Sequence, residues 1–340
     1  IIEIDRMVIC DLDVDKITSF TETLGDPRLK TMALDVTNFE QLSAALSSAD
    51  LCINAVPTLA GHQMAIFETC LAAGVDYLDL GGEWPVFVEA MSLDPAAREA
   101  GCMILPGIGL TVAASDCLFA TAMERWPETN RLCLGISRAR IISRGSVESA
   151  SEMMSAQVVI RKDGALATVP AGSMVRAFDF GEGLSEAVAM SWADVVTGGI
   201  TTGIPSVEVY SEMRWPERVG YRLSGMTMDV FGAGTAKSMG KAISQVWPEG
   251  PSMEERGEAS FMYEVHAIDP WRRERRLRMR TRDGYSFSVL TAVAAVHRIL
   301  DGERRDGFQT PALNFGADFI FDCDAARLED KSQANGSEAA

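Results

Sequence analysis

Five short apolar runs punctuate the first third of the chain: 7–11 (MVICD), 32–35 (MALD), 51–55 (LCINA), 76–80 (DYLDL) and 102–106 (CMILP). Their starts lie 19 to 26 residues apart. Helical patterns fill most of the intervals, over 14–24, 38–48 and 61–73, with a shorter one at 94–100. Gly74 follows the third pattern, where a left-handed cap ends a helix. Asp13 precedes the first, at the N-cap position. Short strands alternating with helices close a parallel sheet with helices on both faces. No other feature narrows the fold as much.

Beyond about residue 130 the texture changes. The stretch SFMYEVHAIDPWRRERRLRMRTRDGYSFSV, 260–289, reads as an antiparallel meander, with Asp283-Gly284 as its tight turn. Period-two alternation puts Arg276, Arg278, Arg280 and Arg282 on one strand face. In so acidic a chain that row is expected to pair with local acids or a second subunit. His266 alternates away from Phe261, Tyr263 and Val265, so it is expected to be exposed. VLTAVAAVHRIL, 289–300, predicts a helix. The expected class is α/β: a Rossmann-type doubly wound parallel sheet plus an α+β domain with a largely antiparallel sheet. The expected domains are 1–125 and 126–290, with 291–325 returning to the first and 326–340 a solvated tail.

Composition narrows the partners. Apolar residues make up 47% and charged residues 23%, a globular balance. A net charge of −17 argues against nucleic acid, whose phosphates need a basic surface. Seven cysteines stand singly, with no CxxC, which suggests reduced thiols in the cytoplasm. No apolar run approaches the roughly eighteen residues of a membrane span. No histidine pair has metal-ligand spacing, so no metal is expected. There is no GxSxG elbow for a serine nucleophile.

In a doubly wound sheet, ligands lie beyond the carboxyl ends of the strands. Those ends here are Asp11-Leu12, Asp35-Val36, Asn54-Ala55-Val56-Pro57 and Gly107. An acid placed like Asp11 binds a dinucleotide's ribose, and a glycine loop should precede it by about twenty residues. Only ten residues precede Asp11, none of them glycine. The expectation is that a native segment with the first strand and glycine loop lies upstream of Ile1. The stretch 229–246 reads as a strand, the glycine turn Gly232-Ala233-Gly234 and a helix, but Lys237 stands at the third glycine position. The glycines read as a tight turn into that helix.

The stretch CINAVPTLAGHQMAIFETCLAAGVDYLDLGGE, 52–83, resembles the NAD(P)-binding domain of the saccharopine dehydrogenase family. That domain has an N-x-x-P turn, a helix ending C-L-x-A-G, then Y-x-D-L-x-G-E. Asn54, Pro57, Cys70, Leu71, Ala73, Gly74, Tyr77, Asp79, Leu80, Gly82 and Glu83 match it. ILPGIGLTVAASDCLFATAM, 104–123, is similar to the family's G-F-D-x-x-P-S-D turn: it keeps Gly109, Ser115 and Asp116 but has Leu110-Thr111 and Ala114 at the other positions. SRGSVESASEM, RKDGALATVPAG, FDFGEG and TTGIPSVEVY resemble the wider family, including its trans-acting enoyl reductase group.

The resemblance implies an NAD(P)-dependent oxidoreductase that moves hydride to or from a C=N bond. Enoyl or keto reduction, or cofactor binding without turnover, are the alternatives. Asp11 would repel a 2′-phosphate, so NAD is favoured over NADP. Adenosine is expected by Asp11, Leu12, Asp35 and Val36, and nicotinamide by Asn54, Ala55, Val56, Pro57 and Gly107. Candidates for the proton are His62, Tyr77, Glu83 and Asp116, with Arg144 as substrate anchor. The open antiparallel sheet suggests a homodimer.

Overall fold

The computed structural model describes residues 4–56, 61–138, 157–215, 217–219, 221–222 and 259–329. β1 (Met7–Asp11) and β2 (Leu29–Ala33) pair in parallel around α1 (Val14–Leu24). Asp13 caps α1 by accepting from the Lys16 amide at 3.1 Å, and Gly25 ends it with φ 62°. β2 starts three residues before the predicted 32–35, because the Leu29 amide closes a turn onto the Asp26 carbonyl. Asp35 therefore lies past the strand, where its Oδ1 accepts from the Thr37 amide at 2.9 Å and hydroxyl at 2.7 Å.

β3 (Leu51–Asn54), β4 (Asp76–Asp79) and β5 (Met103–Leu105) also pair in parallel, as a separate group of the first, parallel layer. α2 (Phe39–Leu46), α3 (Gln63–Ala73), α4 (Trp84–Ser92) and α5 (Asp94–Ala100) connect the strands. α3 ends at Gly74 with φ 72°, as its glycine predicts. The sequence reading missed α4. Its signal was Trp84-Pro85, since proline fits the first helical turn, where its missing N–H leaves nothing unpaired.

The parallel strands thus fall into two groups. Neither β1 nor β3 pairs on its remaining edge with any described strand. The doubly wound order has a central strand at that place. The two groups stay close: the Arg6 guanidinium donates to the Ser48 hydroxyl at 2.8 Å. β1 is mostly exposed, whereas β4 and β5 are wholly buried.

After β5, α6 (Leu110–Arg125) passes beneath the second sheet with ten of its sixteen residues buried. That sheet uses β6 (Arg131–Ile136), β7 (Gln157–Lys162), β8 (Ala165–Pro170), β9 (Val175–Asp179), β10 (Leu184–Ala189) and β11 (Ser206–Glu212). β12 (Met262–Ile268), β13 (Glu274–Thr281) and β15 (Ala326–Glu329) complete it. Every pairing is antiparallel except β6 with β11, whose crossover contains α7 (Asp194–Thr202). Tyr263, Val265 and Ala267 of β12 join the core that includes α6.

Two expectations fail in this sheet. His266 is not exposed but only 1% accessible. β9 curls over its face: the Phe178 ring lies 4.5 Å from the imidazole, and Arg176 Nε donates to Nδ1 at 2.9 Å. Asp283-Gly284 is not a hairpin turn. Asp283 caps α8 (Gly284–Leu300), accepting from the Tyr285 and Ser286 amides. The buried positions Phe287, Thr291, Ala295 and Ile299 repeat every four residues, so 285–289 follows the helical period and is no strand. The arginine row does find local acids: Arg276 pairs with Glu274, Arg278 with Asp179, Arg280 with Glu329 and Arg282 with Asp324.

The closing segment serves both sheets. β14 (Gly307–Phe308) extends the first beside β5, and β15 edges the second beside β13. α9 (Pro311–Phe315) and α10 (Phe319–Asp322) pack on α6. Among the described residues no helix is long and apolar enough to cross a membrane.

Candidate active site

The carboxyl ends of β3, β4 and β5 meet in one hydrogen-bond chain. Asn54 Nδ2 donates to the Tyr77 hydroxyl at 2.9 Å, and that hydroxyl donates to Asp79 Oδ2 at 2.8 Å. Asp79 Oδ1 accepts from the Gly81 amide at 2.9 Å and the Gly107 amide at 2.8 Å. Burial raises the Asp79 carboxyl to about 6 against the pull of these donors, and neighbouring Glu83 adds to the rise. Burial, then the Asp79 charge, pushes Tyr77 well above an ordinary phenol. Its hydroxyl is committed inside the fold and faces no open space.

The loop from Leu80 to Glu83 is held on every side. Glu83 Oε2 accepts from the Gly82 amide at 2.9 Å, and the Ala193 amide donates to the Gly82 carbonyl at 3.1 Å. Trp192 bridges to Glu83. A Cβ on Gly82 would lie 2.7 Å from Thr111. The second sheet and α8 complete the roof: the Tyr263 hydroxyl donates to the Leu110 carbonyl at 3.3 Å, and Ser288 Oγ accepts from the Leu110 amide at 3.2 Å.

The sequence candidates fall in three places. Asn54, Tyr77, Glu83 and Gly107 converge at the strand ends just described. Asp11, Leu12, Asp35 and Val36 lie at the ends of β1 and β2. Asp11 is exposed, with Oδ1 accepting from the Asp13 amide at 2.9 Å. His62, half-buried, stands at the start of α3 without capping it, close enough to add a small pull on Asp35. Ala55 is exposed, and the Val56 amide donates to Asn54 Oδ1 at 2.9 Å. Asp116 lies apart, fully buried between helices. It accepts from the Thr201 hydroxyl at 2.5 Å and the Ala312 amide at 2.8 Å, and burial raises it to about 6. Pro57, Arg144 and the 229–246 turn lie outside the described residues.

Sequence reasoning gave no role to Asp79, Gly81, Trp192 or Asp194. Asp79 carried the same signal as Asp11, an acid ending an apolar strand. Asp194 had none, because nothing local shows that the first turn of α7 is buried. Its carboxyl is fully enclosed beside α6, and burial raises it to about 7.

Residues 2–105 match the family model described as the saccharopine dehydrogenase NADP binding domain. Saccharopine dehydrogenase (L-Glu forming) from Saccharomyces cerevisiae is 12% identical, with 96% of this chain and 94% of that one covered at a TM-score of 0.59. That likeness shows a shared fold across both domains. A probable dehydrogenase from Thermotoga maritima (10% identity, 93% and 85% covered, TM-score 0.41) matches more loosely. So does GenD2 from gentamicin A biosynthesis, solved in complex with NAD (12%, 96% and 89%, 0.40).

A dinucleotide-binding domain joined to a sheet that roofs its strand ends defines an NAD(P)-dependent oxidoreductase. Residues 2–105 are similar to the NADP binding domain of saccharopine dehydrogenase, and the chain shares the fold of the yeast enzyme.

The residues present suit such a cofactor at its two ends. Asp11 offers an exposed carboxylate for ribose hydroxyls, and Gly107 brings backbone close to the strand ends at φ 76°. No described residue supplies the glycine loop for the pyrophosphate.

Proposed function

We propose that the protein interconverts the C=N bond of an imine and the corresponding amine of a small molecule, with a nicotinamide dinucleotide as hydride carrier. The observation that carries this reading is the pair of buried carboxyls, Asp79 and Glu83, flanking one loop under the roof. An iminium carries positive charge at the carbon that takes hydride, and carboxylates stabilise that charge. Reduction of C=C or C=O instead builds negative charge, which these groups oppose.

The bound nicotinamide supplies or accepts the hydride. The chain's own residues orient the reactants, exclude water and move the proton. Glu83 and His62 are the proposed proton-handling groups, since each stands at a strand-end loop. Tyr77 acts behind them through Asp79. Asp116 braces α6 against α7 and α9. Arg144 is the proposed anchor for a substrate carboxylate.

NAD is the proposed cofactor on the strength of Asp11, although the matching family model is described by NADP. A homodimer through the second sheet is proposed as well, since Val175 on the edge strand β9 is 46% exposed.

The test is nucleotide absorbance with full-length protein over a panel of imines, ketones and enoyl thioesters. Imine turnover is expected. Turnover confined to enoyl or keto substrates would overturn the C=N assignment.

A further inference from the structure

We infer that Asp79 is a positioning residue that fixes the spacing of the three strand-end loops and so sets the affinity for the nicotinamide cofactor. The inference rests on the cofactor reading above.

The loop after β5 cannot hold itself. Gly107 has φ 76°, and a Cβ there would lie 2.6 Å from the Phe87 ring and 2.8 Å from Val112. The position must be glycine, so no side chain of its own can anchor it. Gly109, which caps α6, makes no side-chain cap bond either. The anchor comes from β4. Asp79 Oδ1 accepts from Gly107 at 2.8 Å, and its carbonyl accepts from the Ile108 amide at 2.8 Å. The same Oδ1 holds Gly81 on the β4 loop, and Oδ2 reaches Asn54 on β3 through Tyr77. One side chain, 1% exposed, therefore ties three successive strand ends together.

This arrangement needs the carboxylate form. Oδ1 already accepts two amides, so an added proton belongs on Oδ2. There it would meet the Tyr77 hydroxyl hydrogen. Tyr77 would have to turn and accept it while still accepting from Asn54, and its own hydrogen would lose its partner. Protonation thus leaves a buried hydroxyl hydrogen unpaired in the link to β3, which weakens that link. The titratable neighbours are Tyr77 on β4, Cys52 on β3 and Glu83 on the next loop, while the turn between β5 and α6 presents the Gly107 and Ile108 amides. With the carboxyl at about 6, cofactor affinity should weaken as pH falls from 7 to 5.

The experiment uses full-length protein, with NADH and NADPH binding followed by fluorescence at several pH values and kcat and KM measured beside it. Asp79→Asn keeps an acceptor for the glycine amides but opposes Tyr77 with an amide hydrogen. It should raise the cofactor KM about tenfold, the loss of one charge-assisted bond, with a smaller change in kcat. It should also flatten the pH dependence. Tyr77→Phe keeps both glycine bonds but removes the link to β3, so it should raise KM less and also flatten the pH dependence, because no hydroxyl remains to oppose a proton on Oδ2. It carries the test if Asp79→Asn does not fold. A lowered melting temperature with wild-type cofactor KM and pH profile would reduce Asp79 to a purely structural group and overturn the inference. Wild-type protein that binds neither dinucleotide overturns both this inference and the reading beneath it.

Discussion

Arg176 donates its Nε hydrogen to Nδ1 of His266 at 2.9 Å and thereby fixes the imidazole tautomer. Nδ1 must be the acceptor, so the ring hydrogen sits on Nε2, 3.1 Å from Glu264 Oε2. This pair fastens the curled strand β9 to β12. His266→Ala should remove both bonds and the Phe178 ring contact, destabilising the protein by about 2–3 kcal/mol in urea titration. Nitrogen chemical shifts should report the Nε2–H tautomer. An Nδ1–H signal would contradict the seam.

Gly135 and Phe178 make a second, separable test of the same seam. A Cβ at Gly135 would fall 2.3 Å from the Phe178 ring. Gly135→Ala should destabilise by about 1–3 kcal/mol through overpacking. Phe178→Leu in the same chain should recover part of that loss, because the smaller side chain makes room. Strictly additive losses would show that the two residues do not touch.

Asp194 should give stability a pH dependence opposite to that of an ion-paired acid. Burial raises its carboxyl from 3.8 to about 7. The folded state therefore binds the proton more tightly than the unfolded state. The stabilisation is complete below the unfolded value and is lost as pH rises through the folded one, between about 4 and about 7. Asp194→Asn, which cannot ionise, should flatten that slope and gain about 1–3 kcal/mol relative to wild type at pH 8. An unchanged slope in chemical denaturation would mean that Asp194 is solvated.

Asp11 is the lever on cofactor choice. Its exposed carboxylate can accept from ribose hydroxyls but repels a 2′-phosphate. Asp11→Ala should weaken NADH binding about tenfold and change NADPH binding little. Equal losses for the two would remove Asp11 from the ribose contact.

Local sequence showed most of the first domain because its rules are local. Gly25 and Gly74 end their helices in the left-handed region, and Asp13 caps α1 from its own turn. Strand ends, and hence Asn54 and Gly107, followed from the alternation. What stayed hidden depended on distant chain. His266 looked solvent-facing because alternation cannot reveal that β9 folds back some ninety residues away. Asp283-Gly284 carries the same dipeptide for a hairpin turn or a helix start, and only the four-residue burial period of α8 separates them. Asp79 and Asp194 were in plain view as letters, but their partners come from β5, α6 and other elements.

The near-complete burial of α6 has a consequence for how the two halves can move. The helix begins at the site, packs against α7 and α8 and lies under β12 and β13, so both halves of the molecule lean on one common wall. A shared wall is a poor hinge. Rotation of one half against the other would have to repack α6.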